Sequence, residues 1–403
     1  MYNMINILTE LIDRLITIDS KISTEKAMYI HQKQLDQLKT MTQPEKVVVI
    51  YGARRTGKTT LLNEFLKGES LPYLLVNGED IDVQGYLSSQ SIEKLTSFVG
   101  SATLLVVDEA QKIPNIGINL KLIVDHIPGI RIIATGSSSF DLARSMGEPL
   151  TGRKFTLKLF PLAQMEIAQI ETRHQTDANL ESRLIFGSYP EVVLTQDNRM
   201  REQYLKELVS SYLYKDILEL EGVRNASKIS RLLQLIAFQI GKEVSYTELG
   251  TSLGMSKNTV ERYLDLLEKA FVLQRLPGFS RNLRNEITKN SRYCFLDNGI
   301  RNALISNFNS LELRNDVGEL WENYLIMERL KRQEYLGEMA NTYFWRTYTR
   351  KELDLVEERG GRLYGYEMKW GKEKPKAPKE WTSAYPESSY MLVNRENYLD
   401  FIL

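Results

Sequence analysis

Gly52, Gly57, Lys58 and Thr59, in the stretch VVVIYGARRTGKTTLL, have the types and spacing for phosphate chemistry. Glycine at both ends of a loop lets the main chain turn successive N–H groups inward around a polyphosphate, at the positive end of the helix that follows. Lys58 would then reach the β- and γ-phosphates of a nucleotide, and the Thr59 hydroxyl would ligate Mg2+. Arg55, Thr56 and Thr60 complete the lining of the loop. A glycine-rich turn that binds nothing is the alternative. The surroundings weigh against it, because a β-branched apolar run ends at the loop and a helical pattern with Leu61, Leu62 and Phe65 begins at Thr59.

A second group completes a nucleotide site. The apolar run TLLVV closes on Asp108 and Glu109. Asp108 can hold Mg2+ through its water shell, and Glu109 can polarise an attacking water as general base. The run RIIA then ends in TGSSS, where Thr135 or Ser137 would hydrogen-bond the water or the γ-phosphate; a plain Gly/Ser turn is the alternative.

A third group lies near the C-terminus. Asp354 sits in an apolar run, and Glu367-x-Lys369 sits in the next one, after a Gly360-Gly361 turn. Period two puts Glu367 and Lys369 on one face of a strand, and hairpin pairing can bring Asp354 alongside. An Asp followed by Glu-x-Lys on the adjacent strand is the pattern of the restriction-endonuclease-like fold, in which the two acids bind Mg2+ and the lysine positions or activates water. Glu322, on the preceding helical stretch, matches the accessory acid of that pattern. A retained fold with merely solvated acids is the alternative.

These groups demand particular elements. Strands at 47–51, 73–76, 103–107 and 131–134 alternating with helical stretches imply a parallel sheet with helices on both faces and a ligand at the carboxyl ends of the strands. NGEDID reads as a polar loop, and residues 88–100, 161–171, 180–186 and 201–220 as helical. Residues 229–240 are a helical run, followed by two short helices joined at Gly254, the second opened by the N-cap candidate Ser256. Phe271 to Arg292 would supply a β-wing. If the second helix reads DNA, Lys257, Asn258, Thr259 and Arg262 are its exposed contacts; such modules also serve as protein-interaction units. A modest basic excess accompanies this region. A further strand is expected at 389–393.

The combination of GARRTGKTTLL, VVDEAQKIPN, IIATGSSS and LTGRKFTLKLFPL resembles the AAA-superfamily ATPases of bacteria and archaea that carry a C-terminal domain of unknown function. The resemblance implies ATP as the ligand and Arg153, in the Gly-Arg pair after the sensor strand, as an arginine finger. Acting in trans, that arginine would require a homo-oligomer. FGSYPEV and YLYKDILEL match the helical lid and linker of such proteins, with Ser188 where a second glycine is common.

The expected fold class is thus α/β: an AAA-type P-loop NTPase sheet, then a winged helix-turn-helix, then a restriction-endonuclease-like α/β domain. The expected divisions are 1–160 for the N-terminal helix and ATPase core, 161–225 for the lid and linker, 226–300 for the winged helix and 301–403 for the last domain. The chain of 403 residues carries equal numbers of Lys plus Arg and Asp plus Glu, which argues neither for nor against nucleic acid. Cys294 is the one cysteine, so no internal disulfide forms. No apolar run approaches a membrane span, and the N-terminal stretch lacks a basic leader, so a cytoplasmic protein with a helix packed on the nucleotide domain is expected. An ATPase acting with DNA is the leading reading. A nucleotide-dependent switch or interaction protein with an inactive nuclease-like fold, and an ATP-binding transcriptional regulator, are the alternatives.

Overall fold

The computed structural model describes residues 29–136, 150–213, 226–280, 291–347 and 349–403. The expected N-terminal helix, Ser137 and the tip of the expected wing lie outside them. Residues 32–403 cluster as one compact unit.

The first sheet holds five parallel strands in the order β2-β3-β4-β1-β5, with β1 Lys46–Tyr51, β2 Tyr73–Asn77, β3 Leu104–Asp108, β4 Arg131–Gly136 and β5 Lys154–Lys158. Strands covered on both faces read as continuous apolar runs, and the LLVVD of β3 is buried along its whole length. In β1, Val47, Val49 and Tyr51 face one side, while Val48 and Ile50 face helix α1, Lys58–Lys67, through Leu61, Leu62 and Phe65. Leu61 and Leu62 are fully buried, and each such side chain contributes about 1.5–3 kcal/mol. Strand β2 is an edge strand and alternates exposed with half-buried residues.

Two local expectations are corrected. NGEDID runs into a helix, Ile81–Leu87, opened by Asp80, whose carboxylate accepts from Asp82 N at 2.8 Å. Within 161–171 only Gln164–Ile167 is helical; Leu162 and Ala163 are buried by packing outside it, whereas Ile170 is 41% exposed.

Helices α2, Tyr246–Leu253, and α3, Lys257–Lys269, meet at Gly254, which takes a left-handed φ of 60°. Ser256 caps α3 by accepting from Thr259 N at 3.1 Å. Val260, Tyr263, Leu264 and Leu267 form its buried stripe, leaving Lys257, Asn258 and Arg262 exposed and Thr259 half-buried. A three-stranded antiparallel sheet, β6 Glu243–Val244, β8 Ser291–Phe295 and β7 Leu273–Pro277 in that order, packs beside them.

The last region runs helix, three strands, helix, strand. Helix α4, Val317–Leu336, precedes the antiparallel strands β9 Asn341–Arg346, β10 Glu352–Arg359 and β11 Arg362–Met368. The short helix Lys379–Ala384 then returns the chain so that β12, Ser389–Val393, pairs parallel to β11. One apolar core is continuous from Val47 and Val49 through Phe160 and Leu184 to Trp321 and Leu355. Among the described residues no helix is long and apolar enough to cross a membrane.

Candidate functional site

The loop after β1 is built for close approach. Gly57 sits at φ 96°, and a Cβ on Gly52 would meet the carbonyl oxygen of Leu159 at 2.3 Å, so neither position accommodates a side chain without movement. Helix α1 starts at Gly57 with no side chain capping it, which leaves its first N–H groups pointing into the loop. Lys58 is 5% exposed, and its ammonium donates to the carbonyls of Gly52 at 2.9 Å and Ala53 at 2.8 Å. Thr56 is fully buried, whereas Arg55, Thr59 and Thr60 are exposed.

The tips of β3 and β4 deliver the rest. Thr59 Oγ1 donates to Asp108 Oδ2 at 2.8 Å. The buried Thr135 at the end of β4 donates to Asp108 Oδ1 and accepts from Glu109 N at 3.2 Å. Glu109 holds a left-handed φ of 51°, a conformation that disfavours residues with a Cβ, and Gln111 Nε2 donates to its carboxylate. The loop and the strand tips expected to form one site therefore do meet.

Arg153 lies elsewhere. Its carbonyl accepts from Val47 N at 2.9 Å, at the amino end of β1, so most of that strand separates it from the loop of its own chain. Its Nε donates to Asp125 at 2.7 Å, and the side chain is 41% exposed.

The C-terminal group also assembles. A bulge between Leu353 and Val356 breaks the β9–β10 register and re-aims Asp354, which is 2% exposed. Asp354 Oδ2 accepts from Met368 N at 2.7 Å, and Lys369 Nζ pairs with Glu367 Oε1 at 2.8 Å. Burial, then the charge of Glu367, pushes Asp354 up to about 6. Burial, then the charge of Asp354, raises Glu322. Burial works to lower Lys369, but the hydrogen bond to Glu367 and the charges of Asp354 and its neighbours outweigh it and hold the ammonium above its ordinary value. The three acids thus feel one another, yet among the described residues no group of three or more His, Cys, Asp or Glu is arranged to hold a metal ion.

Arg292, from β8, is a residue that sequence reasoning missed. It is 5% exposed, donates to Glu352 at 2.7 Å, lies 4.5 Å over the Phe344 ring and stands 3.9 Å from Asp354 Oδ1. Nothing in SRYCF marks it, because its partners come from strands 60 residues further on. Gln32 was missed as well: it is buried, and its amide donates to Thr56 O at 3.1 Å, bracing the phosphate loop.

Residues 44–168 match the family model described as AAA domain. With the parallel sheet and the loop geometry, that makes this region an AAA-type P-loop domain. Residues 177–311 and 317–401 match two further models, each described as a domain of unknown function (DUF8612 and DUF4143), so the P-loop domain is followed by a C-terminal domain of unknown function. An uncharacterized protein of Mycobacterium tuberculosis is 28% identical over 328 residues, covering 80% of this chain and 70% of the relative. Uncharacterized proteins of Haemophilus influenzae (24% identical, 76% of this chain and 80% of the relative) and Methanocaldococcus jannaschii (25%, 72% and 67%) are similar too. Among solved structures, the replication initiator DnaA bound to AMPPCP and single-stranded DNA is 17% identical, covering 60% of this chain and 90% of that one, with a TM-score of 0.30. NtrX from Brucella abortus in complex with ATP is 15% identical, with coverages of 64% and 74% and a TM-score of 0.29.

Proposed function

We propose that the chain is a Mg2+-dependent ATPase of the AAA type that works on or with DNA. The observation that supports it most is the convergence of Thr59, Thr135 and Glu109 N on the Asp108 carboxylate, beside a loop that buries Lys58. These donors fit a magnesium-bound nucleoside triphosphate. Two hard oxygens 2.8 Å apart, on Thr59 and Asp108, suit Mg2+, and the uncapped start of α1 suits phosphate. When bound, that group supplies the phosphoanhydride to be hydrolysed.

The chain's own residues do the rest. Lys58 neutralises phosphate charge, Thr59 and Asp108 hold the cation, and Thr135 fixes the Asp108 carboxylate. Glu109, oriented by Gln111, takes the proton of the attacking water. Arg153 faces solvent too far along β1 to serve its own loop, so we assign it to a neighbouring copy, which makes assembly part of the proposal.

DNA enters through the later regions. Helices α2 and α3 with the β6–β8–β7 sheet have the arrangement of a winged helix, and Lys257, Asn258 and Arg262 stand exposed for groove contact. The order helix, three strands, helix, strand, with Asp354, Glu367 and Lys369 grouped, supports an endonuclease-like region. A specific observation favours the second reading, an ATP-dependent switch with an inactive nuclease-like fold: Asp354 already has Met368 N on one oxygen and Arg292 facing the other.

Cleavage of plasmid and linear DNA with Mg2+ or Mn2+, with and without ATP, separates the two. Cutting that disappears in Asp354→Ala supports the nuclease; no cutting under any condition supports the switch.

A further inference from the structure

Past Lys369 the chain leaves β11 into residues 369–379, KWGKEKPKAPK. Lys372, Lys374, Lys376 and Lys379 are all exposed, and Glu373 is the one acid in the segment. None of these four lysines has an ion-pair partner among the described residues. The segment is neither helix nor strand before Lys379; Pro375 and Pro378 lack the N–H that either would need, and Pro378 sits at φ −56°, ψ 132°.

This basic strap is fixed in place. Tyr390 OH donates to the carbonyl of Pro375 at 3.0 Å, tying the strap to β12. Tyr390 pairs with Gly365 on β11, two residues before Glu367, so the tether sits beside the acid cluster. The guanidinium of the exposed Arg395 lies 4.7 Å over the ring of Trp370, adding a cation where the strap begins.

We propose that this strap is a track for the DNA phosphate backbone, leading a strand past the Asp354, Glu367 and Lys369 group; it rests on the reading of the chain as acting on DNA. Lys372, Lys374 and Lys376 stand at alternate positions, so three cations fall within five consecutive residues. Lysine is a compact point charge that binds phosphate without reading sequence, and each phosphate it neutralises releases counterions. A lipid surface fits less well, because apart from the half-buried Trp370 the strap carries no large apolar side chain to enter a bilayer interface.

The test is binding of the full chain and of Lys372→Gln/Lys374→Gln/Lys376→Gln to a labelled duplex and to its single strand, in EDTA across a salt series. The expected result is affinity weakened roughly tenfold to a hundredfold at low salt and a log–log salt slope shallower by about 2–3, one step per lost phosphate contact. Matching melting curves would confirm that the variant is folded. If the parent chain binds DNA and the variant binds with the same affinity and slope, the track is overturned while the DNA reading stands. If the parent chain binds no DNA even at low salt, the DNA reading fails and the track with it. Unchanged DNA binding together with lost binding to phosphatidylglycerol vesicles would assign the strap to lipid and likewise overturn it.

Discussion

Thr59 Oγ1 donates to Asp108 Oδ2 at 2.8 Å, joining the first turn of α1 to the tip of β3. The two residues are 49 positions apart in the chain, and the bond closes the site at the sheet's carboxyl edge. Replacing Asp108 by Asn keeps the shape and removes the charge that the cation needs. Turnover should fall on the order of a hundredfold and its Mg2+ midpoint should rise, as expected when one preorganised electrostatic contact is lost. An unchanged Mg2+ midpoint would remove Asp108 from the metal role.

Glu109 takes a left-handed backbone conformation that disfavours residues with a side chain, its N–H donates to Asp108 and Thr135, and Gln111 holds its carboxylate. Glu109→Gln should slow hydrolysis by ~10^2–10^4, the range for losing a general base, while ATP binding persists. Equilibrium binding of a labelled nucleotide alongside single-turnover hydrolysis checks this. Unimpaired hydrolysis would place the base elsewhere.

Arg153 and Asp125 form an exposed pair, and such pairs are worth about 0–1 kcal/mol. Arg153→Ala should therefore leave the denaturation midpoint nearly unmoved while lowering turnover in the assembled protein. Mixing it with Lys58→Ala protein, which retains Arg153, should restore part of that turnover. If Arg153→Ala alone turns over normally, no neighbour borrows this arginine.

The parts legible in the sequence are those set by local chemistry. The phosphate loop lies within a single strand–loop–helix passage, the buried parallel strands β1, β3 and β4 are unbroken apolar runs, and β12 occupies the expected 389–393. Lys369 falls one residue past β11 yet still pairs with Glu367, because the alternation that puts them on one face persists for that residue. What stayed hidden depends on distant chain. Arg292 gains its meaning only when its side chain reaches Glu352 and Asp354 on β10 from another sheet, and the bulge that re-aims Asp354 arises from a register shift between two strands. Helix Ile81–Leu87 was missed because Asp80 and Asp82 made its first turn look like loop, when one of them is its cap.

Glu166 ties the stretch ahead of β1 to the short helix Gln164–Ile167 in which it sits. Its carboxylate accepts from Ala163 N at 2.7 Å and Lys33 N at 2.8 Å, yet burial pushes it up to about 7. A carboxyl raised above its unfolded value of 4.5 contributes stability that is complete below 4.5 and lost as pH rises through about 7. The parent chain should accordingly gain on the order of 2–4 kcal/mol relative to Glu166→Gln between pH 8 and pH 5, because each tenfold difference in proton affinity between folded and unfolded chain is worth roughly 1.4 kcal/mol. Denaturant unfolding of both chains across that range measures it, and parallel pH profiles would show that Glu166 ionises as it does in the unfolded chain.

Steady-state ATP turnover, measured with and without added DNA on the parent chain and on Lys58→Ala, tests the central claim most directly. The account predicts Mg2+-dependent turnover that DNA stimulates and that Lys58→Ala abolishes. Turnover that survives in Lys58→Ala would contradict the assignment of the phosphate loop, and a parent chain that hydrolyses no ATP with or without DNA would contradict the ATPase itself.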